Sequence, residues 1–350
     1  MDWIDLRSDT VTKPTKAMRQ AMAKAEVGDD VYGEDPTVNR PQEMAAERMG
    51  KEVGLFVPSG TMGNLTAILA HCGRGDEVIL GNKAHTFLYE AGGISALGGV
   101  HSCQLLNQPD GTLRLDDIRV AIRPNEAHQP VSRLVCLENT HNRCGGVSLT
   151  AAYTREVSDL AHERGLALHL DGARIFNAAI AQGVTAKELA EPADSVTFCL
   201  SKALSAPVGS VLCGSREFIK KAHRMRKQLG GGMRQAGVLA AAGIVALESM
   251  VDRLAEDHKR ARYLARGLSF LPWLEMDEGT PFTNMVFMSL QESFPADAEQ
   301  VADELAKMNV KVGVVGKRRF RLVTHYWVDD KAVDKAILAF QDVGTRLSPG

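Results

Sequence analysis

Single reactive side chains stand at the ends of short apolar runs in this sequence. The run SVTFCLS (195–201) is followed by Lys202, and the run LALHLDG (166–172) carries Asp171 near its end. A lysine at the end of a buried strand is costly while it is charged, so its pKa falls or it forms a covalent bond. A Schiff base with an aldehyde cofactor would remove the charge and supply reactivity. The sequence therefore suggests a covalently held cofactor at Lys202; the simpler interpretation is a surface lysine.

Asp171 and His85 could serve the same cofactor. Asp171 and Arg174 flank a strand-to-helix turn in HLDGAR (169–174). A buried carboxylate needs a cationic partner, and a protonated ring nitrogen would be one, although a helix N-cap is an equally simple explanation. His85 follows EVILGNKA and could stack on a cofactor ring, or it could be an ordinary loop histidine.

Two further positions could bind anionic groups. PSGTMGN (58–64) places Ser59, Gly60 and Thr61 just before an apolar helix, where free N–H groups and hydroxyls suit a phosphate. A plain helix N-cap explains the same residues, and no Walker nucleotide motif is present. Arg321, in RRFR (318–321), could grip a substrate carboxylate with two hydrogen bonds or lie on a solvated edge.

These residues require a sheet that brings strand ends together. Continuous apolar runs alternate with helical patterns, which indicates an α/β fold with a mostly parallel sheet covered by helices on both faces. In such sheets the ligand binds beyond the carboxyl ends of the strands. The runs are 54–58, 77–81, 100–106, 132–139, 166–172, 195–201 and 209–214.

The pattern changes near residue 248, which predicts a second domain. We expect a large domain over 1–248, with an N-terminal arm over 1–35, and a smaller α+β domain over 249–350. In the smaller domain, 249–268, 297–308 and 329–343 resemble helices, and 284–290, 310–315 and 319–325 resemble strands.

The amino-acid composition of the chain argues against several classes of function. There are 41 basic and 43 acidic residues, giving a net charge of -2, so a nucleic-acid partner is not expected. The longest strongly apolar stretch near the middle, 235–247, is too short to cross a bilayer, and the acidic N-terminus is unlike a signal peptide. Six cysteines without metal-site spacing favour a reduced, cytoplasmic protein with no structural metal.

Seven sequence blocks, in order, resemble one enzyme family. They are DLRSDTVTKPT, VGDDVYGEDPTV, PSGTMGN, LENTHN, HLDGARIFNA, LSKALSAPVGSVL and LGGGMRQAG. The chain resembles the low-specificity L-threonine aldolases among the fold-type I pyridoxal phosphate enzymes, in which a large α/β domain of the aspartate-aminotransferase type carries a smaller domain.

The resemblance implies a role for each block. Lys202 would hold pyridoxal 5'-phosphate as a Schiff base, Asp171 would pair with the ring nitrogen, and His85 would stack on the ring. Phosphate binding would fall to Ser59, Gly60 and Thr61, and substrate-carboxylate binding to Ser8, Arg174 and Arg321. Lys227 and Arg234 would reach a neighbouring subunit's site. His128 would contact the substrate hydroxyl.

The implied reaction is retro-aldol cleavage of L-threonine, L-allo-threonine or other β-hydroxy-α-amino acids to glycine and an aldehyde. His85 and His128 are the candidate bases. The implied assembly is a dimer with shared sites, commonly a tetramer. Ala203 and Ser205 replace glycines that relatives carry beside the lysine, which leaves substrate preference open. The alternatives are a β-eliminating lyase, a serine hydroxymethyltransferase-like enzyme, an aminotransferase, or a carrier without catalysis.

Overall fold

Residues 3–347 are described by a computed structural model, and they divide into two units. The large unit comprises residues 14–251, and the small unit comprises residues 3–13 together with 252–347. The first residues join the small unit because strand β1 (Ile4–Asp5) pairs in parallel with β11 (Val310–Lys311). The predicted division at residue 248, with an arm over 1–35, stays a prediction.

The strands follow the predicted apolar runs closely. In chain order after β1 they are β2 (Val53–Val57), β3 (Asp76–Gly81), β4 (His101–Leu105), β5 (Val131–Glu138), β6 (Ala167–Asp171), β7 (Ser195–Cys199), β8 (Ser210–Gly214), β9 (Leu274–Met276), β10 (Met285–Leu290), β11, β12 (Gly313–Gly316) and β13 (Arg319–Val323).

Most of the helices lie between two strands along the chain, and α14 follows the last strand. They are α1 (Lys16–Ala23), α2 (Pro36–Met49), α3 (Gly60–His71), α4 (His85–Leu88), α5 (Gly93–Ala96), α6 (Leu115–Ala121), α7 (Ala151–Glu163), α8 (Ile175–Gln182), α9 (Ala186–Ala190), α10 (Arg216–Gln228), α11 (Gly237–Ser249), α12 (Leu254–Leu268), α13 (Ala298–Lys307) and α14 (Asp330–Leu347).

The large unit contains a seven-stranded sheet in the order β2-β8-β7-β6-β5-β3-β4. The strands β7, β6, β5, β3 and β4 run parallel, and β8 is antiparallel to both of its neighbours. Every residue of β7 and β8 is buried, as expected for strands covered on both faces. The α/β fold with a mostly parallel sheet is therefore confirmed.

Local signals fixed several helix ends. The Thr150 hydroxyl accepts a hydrogen bond from the Tyr153 N–H at 3.1 Å, which starts α7 as the N-cap pattern predicts. Gly165 follows that helix with φ of +74°, the left-handed conformation that glycine adopts without strain. The apolar stretch 235–247 forms the largely buried helix α11.

The small unit contains the antiparallel sheet β12-β13-β10-β9 beside the β1–β11 pair. Its core includes Leu264, Val286 and Phe320, which come from a helix and two strands. This is the α+β arrangement that the sequence predicts.

The helix predicted over 249–268 forms as α12, which begins five residues later than predicted, at Leu254. Residues 250–253 separate it from α11, and the boundary between the two units falls inside this gap. The buried residues of α11 belong to one unit and those of α12 to the other, so the two helices serve different cores. The single strand predicted over 310–315 is instead divided into β11 and β12.

Within residues 3–347 no helix combines the length and the apolar character needed to cross a membrane. All six cysteines are free thiols.

Candidate active site

The sheet order brings four predicted site segments to one edge. Strands β7, β6, β5 and β3 are neighbours and parallel, so Lys202, Asp171, Glu138 and His85 all follow carboxyl ends of adjacent strands. This edge is where open α/β sheets bind their ligands. We call these residues, with the start of α3, the active edge.

The turn between β2 and α3 has the chemistry of an anion site. Ser59 caps the helix by accepting a hydrogen bond from the Met62 N–H at 3.2 Å. The N–H groups of Gly60 and Thr61 lie in the first turn, where a helix offers them no acceptor. A Cβ added at Gly60 would come within 2.8 Å of Cys199 Sγ, so glycine allows this turn to pack close to β7. Exposed N–H groups and the positive helix end suit a phosphate.

Asp171 is nearly fully buried and is held by neutral donors. Its side chain accepts hydrogen bonds from the Ala173 N–H at 3.1 Å and from the Asn64 amide at 2.9 Å. Its backbone oxygen accepts from the Asn139 N–H at 2.8 Å, which fixes the end of β6 against β5. The described hydrogen bonds thus orient a carboxylate without neutralising it.

His85 is anchored at both its backbone and its ring. The backbone N–H donates to the Glu138 carboxylate at 2.7 Å, and ring Nδ1 lies 2.9 Å from Glu90 Oε1. Burial lowers the pKa of His85, but the hydrogen bond to Glu90 and the charge on Asp171 outweigh it. The pKa of His85 therefore lies above its usual value, and the nearby Lys202 amine opposes that rise. Because Nδ1 is engaged, Nε2 is the ring atom left for substrate chemistry.

Glu90 and Asn64 are site residues that the sequence analysis missed. One Asn64 amide nitrogen lies 2.9 Å from Glu90 Oε1 and 2.9 Å from Asp171 Oδ2. Burial raises the pKa of Glu90, and the charge on Asp171 adds to this effect. Asn64 falls inside the PSGTMGN block and could have been noticed there; Glu90 lies in a segment without a motif.

The oxygen and nitrogen atoms of His85, Glu90 and Asp171 also lie close enough together to hold a metal ion. The hydrogen bonds through Asn64 account for this closeness, and we assign no metal to the cluster.

Lys202 lies in a tight turn after β7. The Ser205 N–H donates to the Lys202 carbonyl at 2.8 Å, and Ser205 has φ of +64° although it is not glycine. Ser205 is fully buried, so the turn imposes this left-handed conformation on a serine. The serine at position 205, where relatives carry glycine, therefore affects the backbone of the turn that positions Lys202. Arg174 is buried at the start of α8, three residues after Asp171.

Two predicted residues lie near the C-terminal end of α10, one within the helix and one in the glycine-rich segment that follows it. Lys227 is exposed in the last turn of that helix, and Arg234 forms an ion pair with Asp29 at 2.9 Å. Among residues 3–347, no contact given by the structure joins either side chain to Lys202, Asp171 or His85. Their predicted role at a neighbouring subunit's site stays a prediction.

His128 is not brought to the active edge. It is exposed in the segment between α6 and β5, before the amino end of β5, whereas Glu138 marks the carboxyl end of that strand. Eight strand residues extend roughly 25 Å. Within one chain, His128 therefore does not join His85, and its predicted role near the substrate hydroxyl stays a prediction.

Ser8 and Arg321 belong to the small unit and lie near each other within it. The Arg321 guanidinium donates to the carbonyl of Arg7, the residue before Ser8, at 3.1 Å. The Ser8 hydroxyl accepts from the Thr10 N–H at 3.2 Å. Their predicted role in binding a substrate carboxylate stays a prediction.

A family model and two similar proteins point to the same enzyme family. The model of the β-eliminating lyase family matches residues 5–292. A probable low-specificity L-threonine aldolase 2 of Arabidopsis thaliana is 49% identical over 343 residues, covering 97% of each chain. The low specificity L-threonine aldolase of Escherichia coli (strain K12) is 48% identical over 322 residues, covering 92% of this chain and 93% of that protein.

Solved structures of similar proteins show the same fold. A Leishmania major threonine aldolase has a TM-score of 0.82 and 21% identity, and it covers 97% of this chain and 99% of that chain. A putative L-allo-threonine aldolase from Listeria monocytogenes has a TM-score of 0.80 and 20% identity, with 97% and 96% covered. A structure of SPT with PLP has a TM-score of 0.76 and 19% identity, with 99% and 88% covered.

Proposed function

The chain belongs to the low-specificity L-threonine aldolases of the β-eliminating lyase family, and we propose that it cleaves L-threonine and L-allo-threonine with pyridoxal 5'-phosphate. The products are glycine and acetaldehyde, and other β-hydroxy-α-amino acids give glycine and the corresponding aldehyde. The observation that carries this proposal is the meeting of Lys202, Asp171 and His85 at one sheet edge beside the α3 N-terminus.

The donor set of the active edge fits the three functional parts of this cofactor. The Lys202 amine would hold the aldehyde carbon covalently, and the Asp171 carboxylate would pair with the ring nitrogen. Ser59 and the N–H groups of Gly60 and Thr61 would bind the phosphate. When bound, the cofactor supplies an electron-withdrawing ring that accepts electrons from the Cα–Cβ bond as it breaks.

His85 is our choice for the base that removes the β-hydroxyl proton. Its Nδ1 is held by Glu90, so Nε2 can take the proton directly or through one water molecule. The raised pKa of His85 suits a base that works near neutral pH. Arg174, Ser8 and Arg321 would bind the substrate carboxylate. This binding would orient the substrate before its Cα–Cβ bond breaks.

We also infer the assembly and the compartment. The resemblance supports a homo-oligomer, a dimer with shared sites and a homotetramer built from two such dimers, in which Lys227 and Arg234 serve a neighbouring site. The six free thiols support a cytoplasmic location.

An aldehyde-release assay tests the reaction class. Threonine, allo-threonine, serine and phenylserine are each supplied with and without added cofactor. We expect glycine and acetaldehyde from threonine, and dependence on the cofactor. Ammonia with a keto acid would instead indicate β-elimination, and amino-group exchange with a keto acid would indicate an aminotransferase.

A further inference from the structure

A continuous set of hydrogen bonds extends from the active edge into the large unit. Asn64 contacts Asp171 at 2.9 Å, and its Oδ1 lies 3.3 Å from His169 Nε2. His169 Nδ1 lies 2.8 Å from the Ser195 hydroxyl, which in turn lies 2.8 Å from His71 Nε2. We call these five residues the polar column.

The Asn64 amide has only one favourable orientation. Its nitrogen carries two N–H groups, and these meet the carboxylates of Asp171 and Glu90. A flipped amide would turn its oxygen toward both carboxylates and leave them without this donor. The Asn64 oxygen must therefore face His169 and accept a hydrogen bond from it.

This orientation fixes the direction of every other bond in the column. Burial lowers the pKa of His169 to about 3 and that of His71 to about 4, so both rings are neutral at neutral pH. His169 then carries its proton on Nε2 and accepts a hydrogen bond from the Ser195 hydroxyl at Nδ1. The Ser195 oxygen accepts from His71 Nε2. Every donor in the column points toward the active edge.

Resting on the proposed function, we propose that Asn64 is a positioning residue that holds the Asp171 and Glu90 carboxylates side by side, with one N–H donated to each. Burial and the charge on Asp171 raise the pKa of Glu90, and the hydrogen bond from Asn64 opposes that rise. The shared amide therefore orients Asp171 for the ring nitrogen while Glu90 keeps its hydrogen bond to His85. His169 and Ser195 hold the amide in that orientation.

The groups that face His85 come from four elements. Tyr89 and Glu90 follow it along the chain, with the Tyr89 ring centroid 5.6 Å away. Glu138 at the end of β5, Asp171 at the end of β6 and Lys202 after β7 complete its charged surroundings. Removing the Asn64 donor changes the proton affinity of this group as a whole, whichever side chain carries the proton.

Nitrogen NMR of the cofactor-free protein with labelled histidine tests the column directly. We expect His169 to be neutral with its proton on Nε2 between about pH 5 and pH 9. A proton on Nδ1, or a charged His169 in that range, would overturn the proposal. This measurement needs no substitution and no turnover.

Substitution of Asn64 tests the effect on His85. In the cofactor-free protein we expect the titration midpoint of His85 to fall by about one pH unit in Asn64→Ala. Glu90 loses the donor that lowers its pKa, and once protonated it no longer raises the pKa of His85. The control is Ser158→Ala, which removes the buried hydrogen bond to the Pro192 carbonyl (2.6 Å) without touching the column. An unchanged or raised midpoint in Asn64→Ala would contradict the proposal.

Cofactor binding separates this proposal from the proposed function. If Asn64 orients Asp171 for the ring nitrogen, Asn64→Ala should weaken pyridoxal phosphate binding roughly tenfold and leave competition by inorganic phosphate unchanged. Equal loss of both affinities would indicate general damage and overturn the assignment. A wild-type protein that binds the cofactor but releases no aldehyde would refute the proposed function and leave the histidine measurements valid.

Discussion

The large unit holds buried carboxylates in two contrasting ways. Asp30 is paired with the fully buried Arg226, at 2.8 Å, and Arg226 also donates to the Phe56 carbonyl at 2.8 Å. Burial raises the pKa of Asp30 and lowers that of Arg226, so each group depends on the other to remain charged. We call this pair the buried clamp.

At the active edge, Asp171 and Glu90 are instead held by the Asn64 amide, a backbone N–H and a histidine. The clamp pairs its two charges within the protein, whereas at the active edge we propose that Asp171 is oriented for the cationic ring nitrogen of the cofactor. Under this proposal a buried aspartate contributes stability in one place and chemistry in the other. Substitutions should separate these two roles.

The largest expected effect is on turnover at the active edge. Lys202→Ala should lower aldehyde release by at least about a thousandfold, because it removes the amine that we propose holds the cofactor covalently. The free energy of unfolding should change by less than about 1 kcal/mol, since Lys202 is partly exposed. Borohydride reduction followed by peptide mass spectrometry locates the labelled lysine.

Lys220→Ala is the control, because this exposed lysine lies on α10. Label recovered at a lysine other than Lys202 would reject the assignment.

The buried clamp should show the opposite result. Asp30→Asn leaves the Arg226 charge buried without its counter-ion, and we expect the free energy of unfolding to fall by about 3 kcal/mol. Aldehyde release per folded molecule should stay within about threefold of wild type. Urea unfolding at fixed protein concentration measures the first quantity. An unchanged stability would show that the clamp contributes less than its burial indicates.

Asp171→Asn is the matched substitution at the active edge. It removes the charge beside the ring nitrogen, and turnover should fall by about a hundredfold. We expect a smaller loss of stability than in Asp30→Asn, because the hydrogen bonds to the Asp171 side chain come from the neutral Ala173 N–H and Asn64 amide. Turnover near that of wild type would show that Asp171 does not control the charge of the cofactor ring.

A smaller effect concerns the pH dependence of kcat/KM. His85 must be neutral to act as a base, so activity should fall as the pH drops below its raised pKa. Glu90→Gln removes the carboxylate that raises this pKa, and the acidic limb should move to lower pH by about one unit. A limb that moves to higher pH, or does not move, would exclude His85 as the titrating base.

The smallest effect is expected beside Lys202. Ser205→Gly relieves a left-handed serine and should raise the free energy of unfolding by about 1 kcal/mol. Thermal unfolding checks this change, with Ser158→Ala as a destabilised reference. A lower stability would mean that the serine side chain contributes more than its backbone costs.

The sequence predicted the strands, and which residues lie at their carboxyl ends, more reliably than the hydrogen-bond partners of the site residues. The runs that end at Asp171 and Lys202 are strands because apolar, β-branched residues are covered on both faces. The helix predicted over 249–268 begins only at Leu254, since periodicity does not show where one core ends and another begins. Nothing in the sequence around His128 shows that this residue lies before the amino end of β5, away from the active edge.

The sequence by itself determined the α/β fold and the family and supplied the candidate site residues, because these depend on local patterns and on ordered motifs. The tertiary structure decided which groups control those side chains. Asn64 meets Asp171 across 107 positions and Glu90 across 26, so their contacts depend on strand order and helix packing. A hydrogen bond requires a few ångströms of distance and a defined direction, and spacing along the chain specifies neither.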